Sequence, residues 1–279
     1  LHGSLDDLAF HRRELTAGEV AQLYTTGSPC AQRITVAAKV FLEGSYVQAT
    51  QTMSDGLRSA NLVPATEPYG GLGFPLVGGG GGVVLSNGVA AVTGNNAICD
   101  WVVVELHQPA APYAVLATRT ALVQRDGDVV GFDGVSPVAF DAAPGNYHIA
   151  IRHRNHLGVM TGAPLALSTT NTVIDFTNPL TPTWGVNGQH NISNVMALWQ
   201  GDTNGNGTVS YVGGNNDRDP ILVAIGGTAP TNTVSNAYST NDVNLDGVIK
   251  YVGTGNDRDP ILTTVGGTVP TATRVQQIP

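Results

Sequence analysis

The sequence predicts a mostly β protein, in which a β-sandwich is followed by a small domain of two repeated loop-and-helix units. Two observations carry this prediction. Short alternating apolar and polar runs, separated by turn residues, fill residues 33–185, and residues 202–234 recur without a gap as residues 242–274. A period of two is typical of half-buried strands, and a clean internal repeat indicates a duplicated structural unit. The 35 Gly and 16 Pro residues agree with this, because many short strands need many turns.

The composition argues against some classes of function. The 279 residues include 13 Lys and Arg against 21 Asp and Glu, so the formal net charge is −8. A nucleic-acid partner is not expected, because neutralising phosphates needs a basic face. No apolar run reaches the roughly 18 residues that would span a bilayer. The chain starts at Leu1 without a recognisable leader, so we expect a mature or cleaved piece of a longer precursor. Two cysteines, Cys30 and Cys99, leave a disulfide and two free thiols both open.

Residues 1–32 have the pattern of a terminal strand and helical turn. LDDLAFHRREL mixes apolar and charged side chains, and Thr16 and Glu19 have capping-box spacing before a short helix that Gly27 ends. This segment resembles the closing part of laminin-G-like or concanavalin-like jelly rolls, which implies an upstream domain. Because apolar strand edges are normally paired or covered, we expect residues 3–13 to pair with a sheet, in that domain or in another subunit.

Residues 33–185 are predicted to form the sandwich, with the clearest strands in ITVAAKVFLEG, AICDWVVVELH and GNYHIAIRH. Asp126 and Gly127 supply the turn chemistry of a two-residue hairpin loop. The five glycines of residues 78–82 indicate a flexible or tightly packed loop. No Gly-Lys pair follows them, so a phosphate-binding loop is not expected. Residues 186–200 are predicted to link the sandwich to the repeats.

Each repeat within residues 201–279 opens with Asp-x-Asn-x-(Asn/Asp)-Gly, the front half of a calcium loop. Calcium is a hard cation that takes six to eight oxygen ligands. Side chains at positions one, three and five of such a loop point inward, and glycine at position six permits the turn that presents the next carbonyl. We therefore predict two bound Ca²⁺ ions. The predicted ligands are Asp202, Asn204, Asn206, Thr208 and Asp217 in the first loop, and Asp242, Asn244, Asp246, Val248 and Asp257 in the second.

The back half of each loop departs from the standard pattern. A glycine stands at position twelve of both copies, where a bidentate carboxylate is expected. An acidic residue follows four places later, so we predict an enlarged loop that Asp217 closes in the first copy and Asp257 in the second. Asp219 and Asp259 are the rival ligands. Alternatively they cap the exit helix, because the proline that follows each of them suits a first helical position.

The paired repeats resemble dockerin repeats, in which two EF-hand-like calcium loops each lead into a helix. With DWVVVEL, DGDVVGFDGVSPVAF and GNYHIAIRHRNHLGVM, they resemble the C-terminal region of secreted surface proteins of the Bacteroidetes type, over about residues 38–279. The resemblance implies an extracellular location and brings no settled activity with it. Val209 and Ile249 fall where such loops pair through a short strand contact. Cohesin binding is implied only weakly, because Pro220 alters the helix that dockerins use for recognition.

Two further clusters are candidate metal sites. His153 and His156 are candidate zinc ligands, but their spacing on a strand would place them on opposite faces. The alternative is a polar strand end that hydrogen-bonds a neighbouring loop. Asp126, Asp128 and Asp133 are candidates for a third cation site, and ordinary hairpin turns are the alternative.

No catalytic constellation is recognisable, so we expect a protein that is not an enzyme. Glu43 and Glu105 are the only glutamates in predicted strands that suit acid–base work, and the sequence does not bring them together. Neither a Gly-x-Ser-x-Gly elbow nor a His-Glu-x-x-His motif occurs.

The expected function is that of an extracellular structural or interaction module of a secreted or cell-surface protein, stabilised by two calcium ions. A protein partner or self-association through residues 1–32 is expected. One alternative is a subunit of a self-assembling surface filament. Another is a carbohydrate-binding accessory module of a secreted hydrolase, whose stacking candidates are Trp101, Trp184 and Trp199, with Trp101 expected in the core.

Overall fold

The computed structural model describes residues 33–279, which adopt a mostly β fold built around a largely antiparallel sheet. This confirms the predicted mostly β class. The strand predicted in residues 3–13 and the capping box of Thr16 and Glu19 lie outside the described residues, as does Cys30. Cys99 is buried and has no disulfide partner within residues 33–279.

The main sheet takes most of the chain up to residue 175. A short helix, α1 (Gly56–Ser59), and a small separate hairpin of β2 (Tyr46–Val47) with β3 (Thr52–Met53) accompany it. The strands are β1 (Arg33–Lys39), β2 (Tyr46–Val47), β3 (Thr52–Met53), β4 (Ile98–His107), β5 (Val115–Gln124), β6 (Asp128–Val130), β7 (Val138–Asp141), β8 (Gly145–Arg152), β9 (Val159–Met160), β10 (Leu165–Leu167) and β11 (Thr172–Asp175).

The main sheet is continuous and curls back on itself. Its order is β10-β8-β4-β5-β6-β1-β11, with β7 on β1 and β9 on β8. Among these described strands, β1 and β11 pair in parallel and the others are antiparallel. The Thr35 amide of β1, the strand next to β11 at one end of this path, donates to the Ser168 carbonyl at 3.4 Å, just after β10 at the other end. The predicted sandwich is therefore one curled sheet around a core that includes Ile34, Val36, Val102, Val104, Phe140, Ile149, Ile151 and Ile174.

Strand β4 is buried on both faces. Its inner face joins the main core, and its outer face lies under the segment that precedes it in the chain. Trp101 is fully buried there, its indole donates to the Pro64 carbonyl at 2.9 Å, and its own carbonyl accepts the Tyr69 hydroxyl at 2.7 Å. The glycine run packs on β5, where Thr118 and Thr120 donate to the carbonyls of Gly79 and Gly80. Trp101 is thus a core residue, as predicted.

The C-terminal repeats form one intertwined unit. The hairpin of β12 (His190–Ile192) and β13 (Val195–Ala197) precedes it. Its own elements are β14 (Thr208–Ser210), α2 (Arg218–Ala224), β15 (Thr233–Ser235), β16 (Val248–Lys250), α3 (Arg258–Thr264) and β17 (Thr273–Val275). Strand β14 of the first loop pairs with β17 at the end of the second repeat, and β16 of the second loop pairs with β15 at the end of the first. Val209 and Ile249 do form short strand contacts, but opposite Arg274 and Val234 rather than opposite each other.

This exchange produces a core that both repeats share. Its buried members from the repeats are Val209, Ile221, Ile225, Val243, Ile249, Ile261 and Val265. Leu157 and Trp199, which precede the repeats in the chain, complete it. Residues 186–200, predicted as a linker, contain the hairpin of β12 with β13, and the Leu198 amide donates to the Phe41 carbonyl at 2.8 Å. The repeats are therefore packed against the sheet domain. No helix within residues 33–279 is long and apolar enough to cross a membrane.

The shared core yields a test with a matched control. Val209 is fully buried, whereas Val223 on α2 is 71% exposed. Val209→Ala removes two buried methyl groups and is expected to lower the free energy of unfolding by about 2 kcal/mol, while Val223→Ala should change it by less than about 0.5 kcal/mol. Urea unfolding of the full chain measures both. Equal losses would contradict the packing described.

Candidate metal centres

The first loop is folded by its own side chains. The Asp202 carboxylate accepts the amides of Asn206 and Gly207, each at 3.0 Å, and the Asn206 side chain accepts the Thr208 amide at 2.8 Å. Gly207 has a φ of 77°, which glycine adopts without strain. The Asp-x-Asn-x-Asn-Gly pattern therefore curls the backbone around Asp202, which is itself buried.

The second loop repeats this geometry. Asp242 accepts the amides of Asp246 at 3.1 Å and Gly247 at 2.9 Å, and the Asp246 side chain accepts the Val248 amide at 2.8 Å. Asn244 donates to the Gly255 carbonyl at 3.0 Å, which ties the front of the loop to its enlarged back half. Two copies that differ at several positions thus build the same turn.

Asp217 and Asp257, the residues predicted to close the loops, lie against the start of their own loops. Asp217 is fully buried, and its carboxylate accepts the amides of Thr203 at 3.0 Å and Ser210 at 2.7 Å. Asp257 does the same in the second loop, with the amides of the residues at equivalent positions, both at 2.8 Å. Each loop is therefore enlarged, and it brings a second carboxylate inside beside the first.

The rival ligands lie on the surface. The side chains of Asp219 and Asp259 are 59% and 55% exposed. They are not the N-caps of the helices either, which are Asp217 and Asp257. Asn216 binds the first turn in the manner of a capping box: its side-chain oxygen accepts the Asp219 amide at 3.0 Å, and its amide donates to the Asp219 carboxylate at 2.8 Å. Asn256 repeats the arrangement with Asp259. The Asn-x-x-Asp spacing, which is that of a capping box, was the signal in the sequence for this cap.

Burial makes the loop carboxylates costly to ionise. It raises the pKa of Asp217, of Asp242 and of Asp257 to about 7, and it also raises the pKa of Asp202. Repulsion from the first carboxylate of the same loop adds to the rise at Asp217 and Asp257, whereas backbone amide donors oppose it. Both carboxylates of a loop ionise together more readily when a cation lies beside them.

The nearby cationic side chains pair elsewhere. Arg154 forms an ion pair with Asp100 on β4. The two arginines that follow the closing aspartates lie beside the exposed carboxylates instead, Arg218 with Asp219 and Arg258 with Asp259. Arg154 lowers the pKa of Asp242 through its charge without forming a salt bridge to it, and burial remains the larger effect. The interior of each loop thus has two buried acids, and the adjacent arginines are committed to other partners.

The donor set suits a hard cation. Across residues 33–279, no three His, Cys, Asp or Glu side chains gather at one point, so carboxylates alone do not make a site in either loop. Each loop combines two buried carboxylates with asparagine side chains and backbone carbonyls, and this mixture of oxygen donors is the kind that calcium accepts. Zinc, which favours histidine and cysteine, is not suited to it.

The predicted placement of His153 and His156 on opposite faces of a strand is wrong. Strand β8 ends at Arg152, so strand alternation does not apply beyond it, and the Nδ1 atoms of His153 and His156 lie 3.0 Å apart. His153 Nε2 lies 3.1 Å from Asp100, and His156 Nε2 accepts the Gly44 amide at 3.0 Å. Burial lowers the pKa of both histidines. The alternative of a polar strand end bonded to a neighbouring loop describes this segment.

The candidate third cation site does not form in the part of the chain that the structure describes. Asp126 accepts the Asp128 amide at 3.3 Å, and the Asp128 carboxylate lies 3.5 Å from the Lys39 ammonium. Asp133 accepts the amide and hydroxyl of Ser136. These residues serve hairpin turns and surface ion pairs, which was the alternative.

The glutamates singled out in the sequence have separate partners. Glu43 lies 2.7 Å from His190, and Glu105 lies 2.9 Å from His107. Two of the three tryptophans do not present an exposed ring on which a sugar could stack. Trp101 is in the core, and Trp199 is only 8% exposed, because the ring of His190 stacks on it and the guanidinium of Arg274 lies 4.0 Å from its centre. Trp184 is half-buried.

No family model matches the chain, and no match is found among curated proteins or solved structures. The resemblances to dockerin repeats, jelly rolls and Bacteroidetes-type surface proteins stay predictions. The geometry of the two loops therefore carries the functional inference.

The raised pKa values predict how stability depends on pH without metal. An aspartate with a pKa of about 7 in the folded state and about 3.9 unfolded binds more protons when folded throughout the window between these values. Unfolding free energy then falls as pH rises. In chelator, acidification from pH 7.5 to 5.5 should raise the melting temperature. The double variant with Asp217→Asn and Asp257→Asn should show a smaller rise in melting temperature, because asparagine does not titrate. A wild-type melting temperature that falls on acidification, in parallel with the variant, would contradict the burial of the acids.

Proposed function

We propose that residues 201–279 bind two calcium ions, one in each loop. The observation that carries this proposal is the pair of buried carboxylates in each loop, Asp202 with Asp217 and Asp242 with Asp257, whose neighbouring arginines are paired elsewhere. A divalent cation would offset the cost of ionising both acids of a pair. The remaining proposed ligands are Asn204, Asn206 and the Thr208 carbonyl in the first loop, and Asn244, Asp246 and the Val248 carbonyl in the second.

The proposed role of the two ions is structural. A cation that binds only the folded state stabilises it by about 2.7 kcal/mol at about 100 times the dissociation constant. Millimolar calcium, which extracellular modules use, would then hold the intertwined repeats against the sheet domain. We propose on this basis an extracellular, non-catalytic structural or interaction module of a secreted or surface protein.

A self-associating surface subunit is the second candidate, and β11, which is an edge of the sheet formed by residues 33–279, favours it. Val173 on this strand is 75% exposed, and Leu180 shortly after it is 85% exposed. Exposed apolar edge strands are sites at which chains pair. Light scattering and electron microscopy of the full chain, with Val173→Lys as the comparison, would test it. A chain that stays monomeric at high concentration would argue against this candidate.

The choice of closing ligand can be tested directly. Asp217→Ala should remove one of two calcium ions, because it deletes a buried carboxylate inside the first loop. Asp219→Ala is the control, since it deletes an exposed carboxylate two residues away and should leave both ions bound, with a stability loss of at most about 1 kcal/mol from the lost hydrogen bond with Asn216. Calorimetric titration of the full chain gives the stoichiometry. Two ions in both variants would refute the choice of Asp217 as a ligand, and none in the wild type would refute the calcium proposal itself.

The two loops differ in charge, which predicts different affinities. The second loop offers a third carboxylate, Asp246, where the first has Asn206. Because ligand charge is one of the factors that tune calcium affinity, the second site should bind more tightly. Asp246→Asn should bring its affinity towards that of the first, and Asn206→Asp should strengthen the first. The same titration separates the sites. An unchanged second site in Asp246→Asn would show that this carboxylate is not a ligand.

A further inference from the structure

We infer that the segment His153–His156, between β8 and β9, couples the two calcium loops to each other and to the sheet domain. The two loops and the sheet domain then open together, and the two loops bind calcium cooperatively. Asn155 is the central positioning residue. The calcium part of this inference rests on the proposed function, and the mechanical part does not.

Asn155 contacts the first ligand residue of both loops. It is fully buried, and its carbonyl accepts the amides of Gly201 at 2.9 Å and Asp202 at 3.1 Å. Its side-chain amide donates to the carbonyls of Thr240 at 3.0 Å and Asp242 at 2.7 Å. The backbone at position one of the first loop and of the second is therefore fixed by the same residue. A displacement at one loop is transmitted to the other through this single side chain and its carbonyl.

Arg154 anchors the same segment to the centre of the sheet. It is buried and pairs with Asp100 on β4, while its Nε donates to the Ser239 carbonyl at 3.2 Å. The guanidinium also lies 4.2 Å from the centre of the Tyr238 ring, and the Tyr238 hydroxyl donates to Asp100 at 2.7 Å. The approach to the second loop is thus held on a buried ion pair. Removing one partner of such a pair is strongly destabilising.

A third contact brings the sheet domain against the second loop. Gly44 donates its amide to His156, and a Cβ atom at Gly44 would overlap the Val243 carbonyl. Its φ is not in the left-handed region, so close approach is the reason for glycine here. Gly44→Ala would push the second loop away from the sheet without touching a proposed ligand. Gly71→Ala is its matched control, because a Cβ there meets its nearest atom at 3.5 Å, an ordinary contact.

The strand exchange adds a direct link between the repeats. Since each loop strand pairs with the tail of the other repeat, ordering one loop also orders the partner of the other. Both sites then bias the same folded arrangement, which is the physical requirement for coupling.

The test measures the first site with and without the second. Asp257→Asn disables the second loop, and calorimetric titration of the full chain with calcium gives the affinity of the first. Coupled sites should show a loss at the first site of about 5- to 150-fold. In Asn155→Ala and in Gly44→Ala, the same Asp257→Asn change should cause a smaller loss than in the wild-type background, with the remainder carried by the strand exchange, whereas Gly71→Ala should keep the wild-type loss. If Asn155→Ala does not fold, Gly44→Ala and the milder Tyr238→Phe supply the comparison.

A second measurement needs no calcium. Hydrogen exchange in chelator compares amides of β4 in the sheet with those of β16 in the second loop. A coupled molecule should show a common opening that separates into two in Gly44→Ala. Calcium coupling would be overturned if Asp257→Asn left the calcium affinity of the first site unchanged. It would also be overturned if Asp257→Asn lowered that affinity equally in the Asn155→Ala and wild-type backgrounds. Independent exchange in the wild type would overturn the mechanical coupling. A wild type that binds no calcium but exchanges as one unit would refute the proposed function and leave the mechanical inference supported.

Discussion

The burial of two like charges in each loop is the constraint on which the C-terminal unit depends. Asp202 and Asp217 are held out of water within one loop, and Asp242 and Asp257 within the other. Backbone amides donate to all four carboxylates and offset part of the cost of burial, but their raised pKa values show that a deficit remains. A protein that keeps such acids buried needs either protons or a cation in the loop, and the proposed calcium ions meet that need at neutral pH.

The surrounding architecture keeps the loops in shape. Seven-residue helices and three-residue strands have little stability by themselves, so neither repeat buries a sufficient core alone. Exchange of strands between the repeats solves this, because it builds a single core from both and adds Trp199 from the preceding segment. The unit behaves as one small domain made of two copies, and a duplicated sequence is a simple route to such an arrangement.

The connection between this unit and the sheet is polar and buried, which makes it specific. An apolar contact tolerates sliding, whereas Asn155 and Arg154 satisfy particular carbonyls and the Asp100 carboxylate. A buried polar network is worth most when every member is satisfied. One guanidinium nitrogen of Arg154 has no hydrogen-bond partner among the described residues, and its place over the Tyr238 ring gives that face of the group a favourable aromatic contact.

Much of this protein was determined by the sequence alone, since the signals were local. Alternation predicted a mostly β protein, the repeat predicted a duplicated unit, and the spacing of acids identified Asp217 rather than position twelve as the residue inside the loop. The tertiary structure decided whatever depends on partners distant in the chain. Asn155 meets carbonyls 85 and 87 residues away, and Val209 pairs with a strand beyond the second loop. His153 and His156 meet because β8 ends just before them. Periodicity describes which side of an element a residue lies on, but not which distant surface it meets, so only the folded chain could show how the loops are joined.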